Sequence, residues 1–160
     1  MTCFIRPLQI SEIDYLQEML YEAIFVSEGN DPPPKSVVHR PELKKYYENW
    51  GTDNDLAFVA EKDGKRVGIA WSRIFKASNK GYGFVDENTP EVSISIHPEY
   101  RNKGIGTQLL RSLLQEAALK GTVKVSLSTD KRNRAVNFYK REGFEIVKEN
   151  DVDLIMVKYL

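Results

Sequence analysis

The sequence predicts one mixed α/β domain over residues 1–160, a mixed, mostly antiparallel sheet of about seven strands flanked by about four helices. Three observations predict it. Apolar residues switch repeatedly between alternate and helical spacing, in the order β-α-α-β-β-β-α-β-α-β-β. Asp63-Gly64 sits between two alternating segments and marks a hairpin, because a type I′ turn needs positive φ at both central residues. A chain of 160 residues with 41% apolar and 29% charged side chains suits a single globular core. A core of that size buries about 70% of the unfolded surface.

Phe4-Ile5-Arg6 reads as a short first strand closed by Pro7. Ser11 and Asp14 read as the cap and first-turn acid of a helix. Ile13, Leu16, Leu20, Ala23 and Ile24 carry that helix to about Ser27, and Gly29 follows. Asp31-Pro32-Pro33-Pro34 is a stiff extended loop. Pro41 fits the first turn of a second helix over residues 42–50, with Gly51 beyond its end. Residues 56–61 and 66–75 are the hairpin strands. Residues 76–90 form a loop of turn formers, in which Tyr82, Asp86 and Glu87 either reach a substrate or are simply solvated.

Residues 91–110, EVSISIHPEYRNKGIGTQLL, organise the chain. Val92, Ile94 and Ile96 alternate with Ser93 and Ser95 as a half-buried strand, and His97-Pro98 stops it. Ile105, Leu109, Leu110, Leu113, Leu114, Ala117 and Ala118 then make one apolar helix face, ended by Gly121. Between strand and helix stands Arg101-Asn102-Lys103-Gly104-Ile105-Gly106. Gly-x-Gly at a helix start is either a tight turn or an anion site, where unpartnered first-turn N–H groups receive a phosphate. Gly-Lys-Ser/Thr is missing, which excludes a P-loop, and Gln108 breaks the dinucleotide fingerprint. Val123, Val125 and Leu127 give a fifth strand. Residues 133–141 give a last helix closed by Gly143, and residues 144–148 and 153–159 give two final strands.

His-Pro-x-x-Arg-x-x-Gly-x-Gly after a strand resembles motif A of the GNAT superfamily of acyl-CoA-dependent N-acetyltransferases. Asn133, Ala135, Tyr139, Gly143 and Phe144 are similar to that family's second signature, with Asn133 six residues before Tyr139. The element order is also similar. The resemblance is close in the second half of the chain and only in outline in the first. It implies a sheet whose fourth and fifth strands splay apart, and acetyl transfer from acetyl-CoA to a primary amine by direct attack in a ternary complex.

That reading carries site residues with it. The pantetheine arm would pair with the backbone of Ile94, Ser95 and Ile96, almost as an added strand, and find its oxyanion donor there. The pyrophosphate would sit on the N–H groups of Asn102, Lys103, Gly104, Ile105, Gly106 and Thr107, with Arg101 and Lys103 adding charge. Asn133 would bind the pantetheine arm. Tyr139 would be the general acid near the sulfur, the residue-level alternative being a core tyrosine. Ser126 and Ser128 stand where some members carry a catalytic Glu on strand five. The base would then be Glu91, with Glu87 or an ordered water relay as alternatives. The missing strand-five carboxylate also leaves room for a non-catalytic acyl-CoA-binding sensor or interaction module. The first helix, loop and second helix would wall the acceptor site. Phe25, Tyr46, Tyr47 and Trp50 would be contact candidates if they are not packing residues.

Composition bounds the partners. The chain has 23 basic and 23 acidic residues, which argues against a nucleic-acid binder. Residues 99–148 hold 11 Lys/Arg and 5 Asp/Glu, so they carry +6 and the remainder −6. A basic half around the glycine loop suits an anionic coenzyme, and an acidic remainder favours a cationic amine, whether a small molecule or a peptide. The apolar runs are too short to span a membrane, and the first residues lack the pattern of a secretory signal. The single Cys3 fits a reducing, cytoplasmic setting and reads as a packing residue. His39 reads as a loop histidine, and no metal ligand set is expected. Residues 153–159 read as an exposed last strand, free to pair across a homodimer.

Overall fold

The structure is a computed structural model that describes residues 3–160. Seven strands form one sheet: β1 (Phe4–Pro7), β2 (Leu56–Lys62), β3 (Lys65–Arg73), β4 (Glu91–Ile96), β5 (Lys124–Asp130), β6 (Glu145–Glu149) and β7 (Asp153–Tyr159). Their spatial order is β1-β2-β3-β4-β5-β7-β6. All neighbouring pairs are antiparallel except β4 and β5. A parallel pair needs a crossover, and α3 (Ile105–Leu119) supplies it. The other helices are α1 (Asp14–Ala23), α2 (Pro41–Lys44) and α4 (Ala135–Arg141). Among the described residues no helix is long and apolar enough to cross a membrane.

Each face of the sheet has its own core. Ile105, Leu109, Leu110, Leu113 and Leu114 of α3 bury the predicted stripe against Ala70, Val92, Val125, Leu127 and Met156, with Tyr139 and Phe144 in the same cluster. Each such side chain contributes about 1.5–3 kcal/mol by leaving water. Cys3 packs at the edge of that cluster, as expected. On the other face, Leu16, Met19 and Leu20 of α1 and Tyr46 pack on Val59, Ile69 and Trp71. The hairpin is as predicted, with positive φ at both Asp63 and Gly64.

Four expectations are corrected. The first helix is started by Gln9 and Glu12, whose carboxylate accepts the Gln9 N–H at 2.9 Å, and Ser11 does not cap it. It ends at Ala23, because Ile24 is already extended. The second helix is one turn long, and an unpredicted 3₁₀ turn, Lys35–His39, precedes it. The cause is Arg73, which donates to the carbonyls of Lys45, Glu48 and Asn49 at 3.0, 2.6 and 3.3 Å. A side chain from β3 thus takes carbonyls that further helix N–H groups would have taken, and residues 45–49 become turns. Finally, residues 153–159 are not an edge. β7 is enclosed between β5 and β6, and the edge strand on that side of the sheet is β6.

Arg73 also pairs with Asp55 at 3.0 Å, and both side chains are nearly buried. Arg73→Ala would leave the Asp55 carboxylate buried without its partner. The variant should lose about 3–5 kcal/mol of unfolding free energy, measured by urea denaturation.

Candidate active site

The site is built where β4 and β5 part. They pair only at Glu91 and Ser126, and the Ser126 N–H donates to the Pro90 carbonyl at 3.0 Å. Beyond that point β4 remains paired with β3 through Ile96. The His97 N–H bonds the Val67 carbonyl at 2.9 Å, which sets the phase of the antiparallel ladder. By its alternation Ser93 and Ser95 turn their backbone groups to β3, while Ile94 and Ile96 turn theirs to the opening. Of the three backbone positions expected to meet a pantetheine arm, two therefore face the gap and Ser95 does not. The Ser95 and Ser126 hydroxyls are buried with no partner among the described residues. Buried orphan hydroxyls mark places where a water or a ligand's polar group belongs.

Glu91 and Tyr139 lie on opposite faces of the sheet. Glu91 faces the α1 side, where the Tyr46 hydroxyl donates to its Oε2 and the Gly83 N–H donates to its Oε1 at 2.9 Å. Burial pushes the Glu91 carboxyl up to about 7, against the opposing effect of those two donors and of Lys45. Tyr139 lies among the α3-side residues between Phe138 and Phe144, and burial pushes its hydroxyl well above the usual tyrosine range. A carboxyl poised near neutrality and a protonated phenol thus lie on opposite faces of the sheet.

The glycine loop turns sharply into α3. Asn102 and Gly104 have positive φ, and Gly104 directly precedes α3. Gly106 faces Ile94 and Phe138, where an added Cβ would stand 3.8 Å from each. Lys103 extends over the Tyr100 ring at 5.7 Å. Arg101 turns back onto β4, with Nε donating to the Ile96 carbonyl at 3.0 Å and Nη2 to the Glu22 carbonyl at 3.4 Å. It thereby occupies one backbone group of the open edge. Asn133 uses its Oδ1 to accept the Ala135 N–H at 2.9 Å, opening α4, and its amide nitrogen stays available.

Several candidate residues have local duties instead. Tyr47 donates to the Val38 carbonyl, Trp50 lies under Arg73, and Phe25 lies under Arg132. Asp86 accepts from the Asn88 N–H and the Thr89 hydroxyl, and Glu87 accepts the Ala77 N–H. Both carboxylates shape the 76–90 loop. Ser128 donates to Asp153 at 2.8 Å. The sequence did not disclose the Tyr46–Glu91 contact or the need for Gly81 and Gly83. A Cβ on Gly81 would stand 2.3 Å from Glu91 Oε1, and one on Gly83 would stand 2.7 Å from the Leu127 carbonyl carbon. Two glycines flanking a tyrosine, in a loop leading to a strand-start Glu, were the only available signal.

The profile of the Acetyltransferase (GNAT) family matches residues 19–144. The chain belongs to the GNAT family. It is 30% identical over 148 residues to an uncharacterized N-acetyltransferase of Methanocaldococcus jannaschii, covering 90% of this chain and 61% of that protein. An amino-acid acetyltransferase of Aeromonas salmonicida is 27% identical over 111 residues, 69% of this chain and 22% of that one. The chain thus spans less than two thirds of the first relative and about a fifth of the second. The GNAT fold is seen throughout in a PaiA N-acetyltransferase of Thermoplasma acidophilum, solved in complex with coenzyme A. That structure has a TM-score of 0.72 at 22% identity and covers 100% of both chains.

Glu91 sets a pH dependence of stability. Its folded value, about 7, lies above the ordinary 4.5, so the folded state holds the proton more tightly. The resulting stabilisation is fully present below the ordinary value and is lost as pH rises through 7. Between pH 5 and 8 the loss should reach about 3 kcal/mol, and in Glu91→Gln this part of the slope should vanish. Urea unfolding of both proteins across that range measures it.

Proposed function

We propose that the chain is an acetyl-CoA-dependent N-acetyltransferase that acetylates a primary amine by direct attack in a ternary complex. The observation that carries the reading is the parting of β4 and β5 at Glu91 and Ser126. It leaves an unpaired β4 edge between the glycine loop and two titratable groups. The residues suit acetyl-CoA, as the open Ile94 backbone, the Ile96 N–H beside the carbonyl that Arg101 holds, the orphan hydroxyls and the glycine turn before α3 indicate. The coenzyme supplies an acetyl group activated as a thioester.

The chain's residues divide the remaining work. Ile94 and Ile96 hold the pantetheine arm in the gap as an added strand. Residues 102–107 receive the pyrophosphate on backbone N–H groups, and Lys103 adds charge. Arg101 acts mainly by fixing the end of β4. Asn133 offers its amide nitrogen to the arm. An attacking amine must be neutral, so Glu91 takes its proton, directly or through water held by Ser126. Tyr139 donates to the departing sulfur on the opposite face. The burial that keeps its own hydroxyl protonated also raises the basicity of a thiolate beside it, so the sulfur accepts a strong hydrogen bond from the phenol and the final proton comes from solvent as coenzyme A departs.

The acceptor approaches from the Glu91 face. On that face, outside the 81–83 loop that covers Glu91, a cavity of about 470 Å³ is lined by Lys80, Tyr82, Phe84, Val147, Lys148 and Ile155, among others, and does not reach the carboxyl. Its rim is basic, so the acidic charge elsewhere in the chain does not gather at it. The second reading, a non-catalytic coenzyme-binding module, keeps the pocket without the proton-transfer groups.

Two experiments test these readings. Acetyl-CoA at a hundredfold above its dissociation constant should add about 2.7 kcal/mol of stability, read as a rise in Tm that ATP does not reproduce. Tyr139→Phe should bind coenzyme A as the unmodified chain does. Its turnover, followed by thiol release over an amine panel, should fall about 100-fold or more. Unchanged turnover would remove Tyr139 from the mechanism, and absent turnover with intact coenzyme binding in the unmodified chain would favour the binding module.

A further inference from the structure

Tyr46 was expected, at most, to touch an acceptor, but it is buried and belongs to Glu91. Its ring meets Phe75 edge-on at 5.1 Å and stacks on Tyr82 at 6.4 Å. Its backbone is fixed from β3: the Tyr46 carbonyl accepts the Trp71 indole N–H at 3.2 Å, and the preceding carbonyl accepts from Arg73. The Tyr46 hydroxyl accepts the Tyr82 N–H at 2.7 Å and donates to Glu91 Oε2. The Gly83 N–H then closes the ring onto Glu91 Oε1.

This ring has a fixed polarity. A backbone N–H can only donate, so Tyr82 and Gly83 force their partners to accept. The Tyr46 hydroxyl has one proton, and with Tyr82 occupying its oxygen that proton points to Glu91. Burial, together with the Glu91 carboxyl, raises the Tyr46 hydroxyl well above the usual tyrosine range, so the proton stays on it.

We infer that Tyr46 is the positioning residue of the transfer reaction: it holds the Glu91 carboxyl in place and favours its ionised, proton-accepting form. The inference rests on the proposal that Glu91 takes the amine proton. The groups facing Glu91 are few. The segment after α2 presents Lys45 and Tyr46, and the loop presents the Tyr82 and Gly83 N–H groups. On β3, Arg73 stands opposite Glu91 but directs its charge to Asp55, and β5 presents the uncharged Ser126. The titratable groups of α1 and β4 that meet, Tyr15 and His97, do so at the far end of β4. Apart from Tyr46, only Gly83 donates a hydrogen bond to the carboxyl among the described residues. The loss of Tyr46's hydrogen bond is therefore not masked by another side chain.

The test is the pH profile of kcat in four proteins, with coenzyme A binding measured by calorimetry in each. They are the unmodified chain, Glu91→Gln, Tyr46→Phe and Tyr46→3-fluorotyrosine. The unmodified chain should show an acid limb near pH 7, the value at which Glu91 titrates. In Tyr46→Phe the limb should move up by about one unit, cutting kcat at neutral pH about tenfold. Activity should recover at higher pH, with coenzyme binding unchanged. In Tyr46→3-fluorotyrosine, which keeps the ring's shape and donates more strongly, the limb should move down. That variant keeps the inference testable should Tyr46→Phe not fold, since a purely structural tyrosine predicts no such shift. If the limb is lost in Glu91→Gln but stays in place in both Tyr46 variants, the inference is overturned and the base assignment stands. If Glu91→Gln keeps both limb and rate, the base assignment itself has failed.

Discussion

The constraint on which the site depends is that β4 and β5 are parallel neighbours held together at one position. A parallel pair needs a crossover, and the crossover here is α3, whose stripe buries into the sheet beside Val92 and Leu127. That anchoring keeps β4 flat against β3 through Ile96, while β5 is drawn to β7 over its whole length, from Lys124 to Asp130. Each strand keeps its other neighbour while the two separate after Glu91 and Ser126, so the unpaired groups are those that face the gap. Backbone groups left without a partner inside a protein carry a desolvation penalty, and a penalty retained at one place is relieved by a ligand. The opening is framed by the pairings on either side of it.

The carboxyl at the closed end of that opening depends on a second constraint, Arg73. This side chain stops α2 after one turn by taking three carbonyls from the following segment. A longer helix would carry Tyr46 along a regular helical path. The turns instead set it under the 81–83 loop, where its hydroxyl joins the loop to Glu91. Gly81 and Gly83 make the close approach feasible, since a Cβ at either would press on Glu91 or on the β5 backbone. The strength of the Arg73 clamp and the poise of Glu91 are thus linked through the short segment between Lys45 and Asn49.

The second half of the chain was legible because its signals are local. The alternation of residues 92–96, the helical stripe of α3, the Gly143 stop and the order of the two motifs all act within a few residues, and the elements match within a few positions. Glu91 was a candidate because the family resemblance places a catalytic Glu at the start of that strand. Its partner could not, since Tyr46 lies 45 residues away and its role comes from folding alone. The length of α2 was misjudged for the same reason, as Arg73 lies 28 residues beyond Lys45. The edge strand was misassigned because sequence order does not say on which side of β7 its hairpin partner β6 will pair. The backbone phase of Ser95 follows from the register with β3, which alternation of side chains leaves open.

Placing Glu91 and Tyr139 on opposite faces of the sheet answers a chemical difficulty. Acyl transfer to an amine needs a base for the nucleophile and an acid for the leaving group at once, and adjacent groups of those kinds would exchange the proton between themselves. Here the sheet separates them, and the α1-side and α3-side cores are distinct clusters. Burial then acts on both in the same direction, raising the carboxyl toward neutrality and keeping the phenol protonated. On the proposed assignment, one physical effect, desolvation on the two faces of the sheet, would make one group a usable base and the other a retained donor.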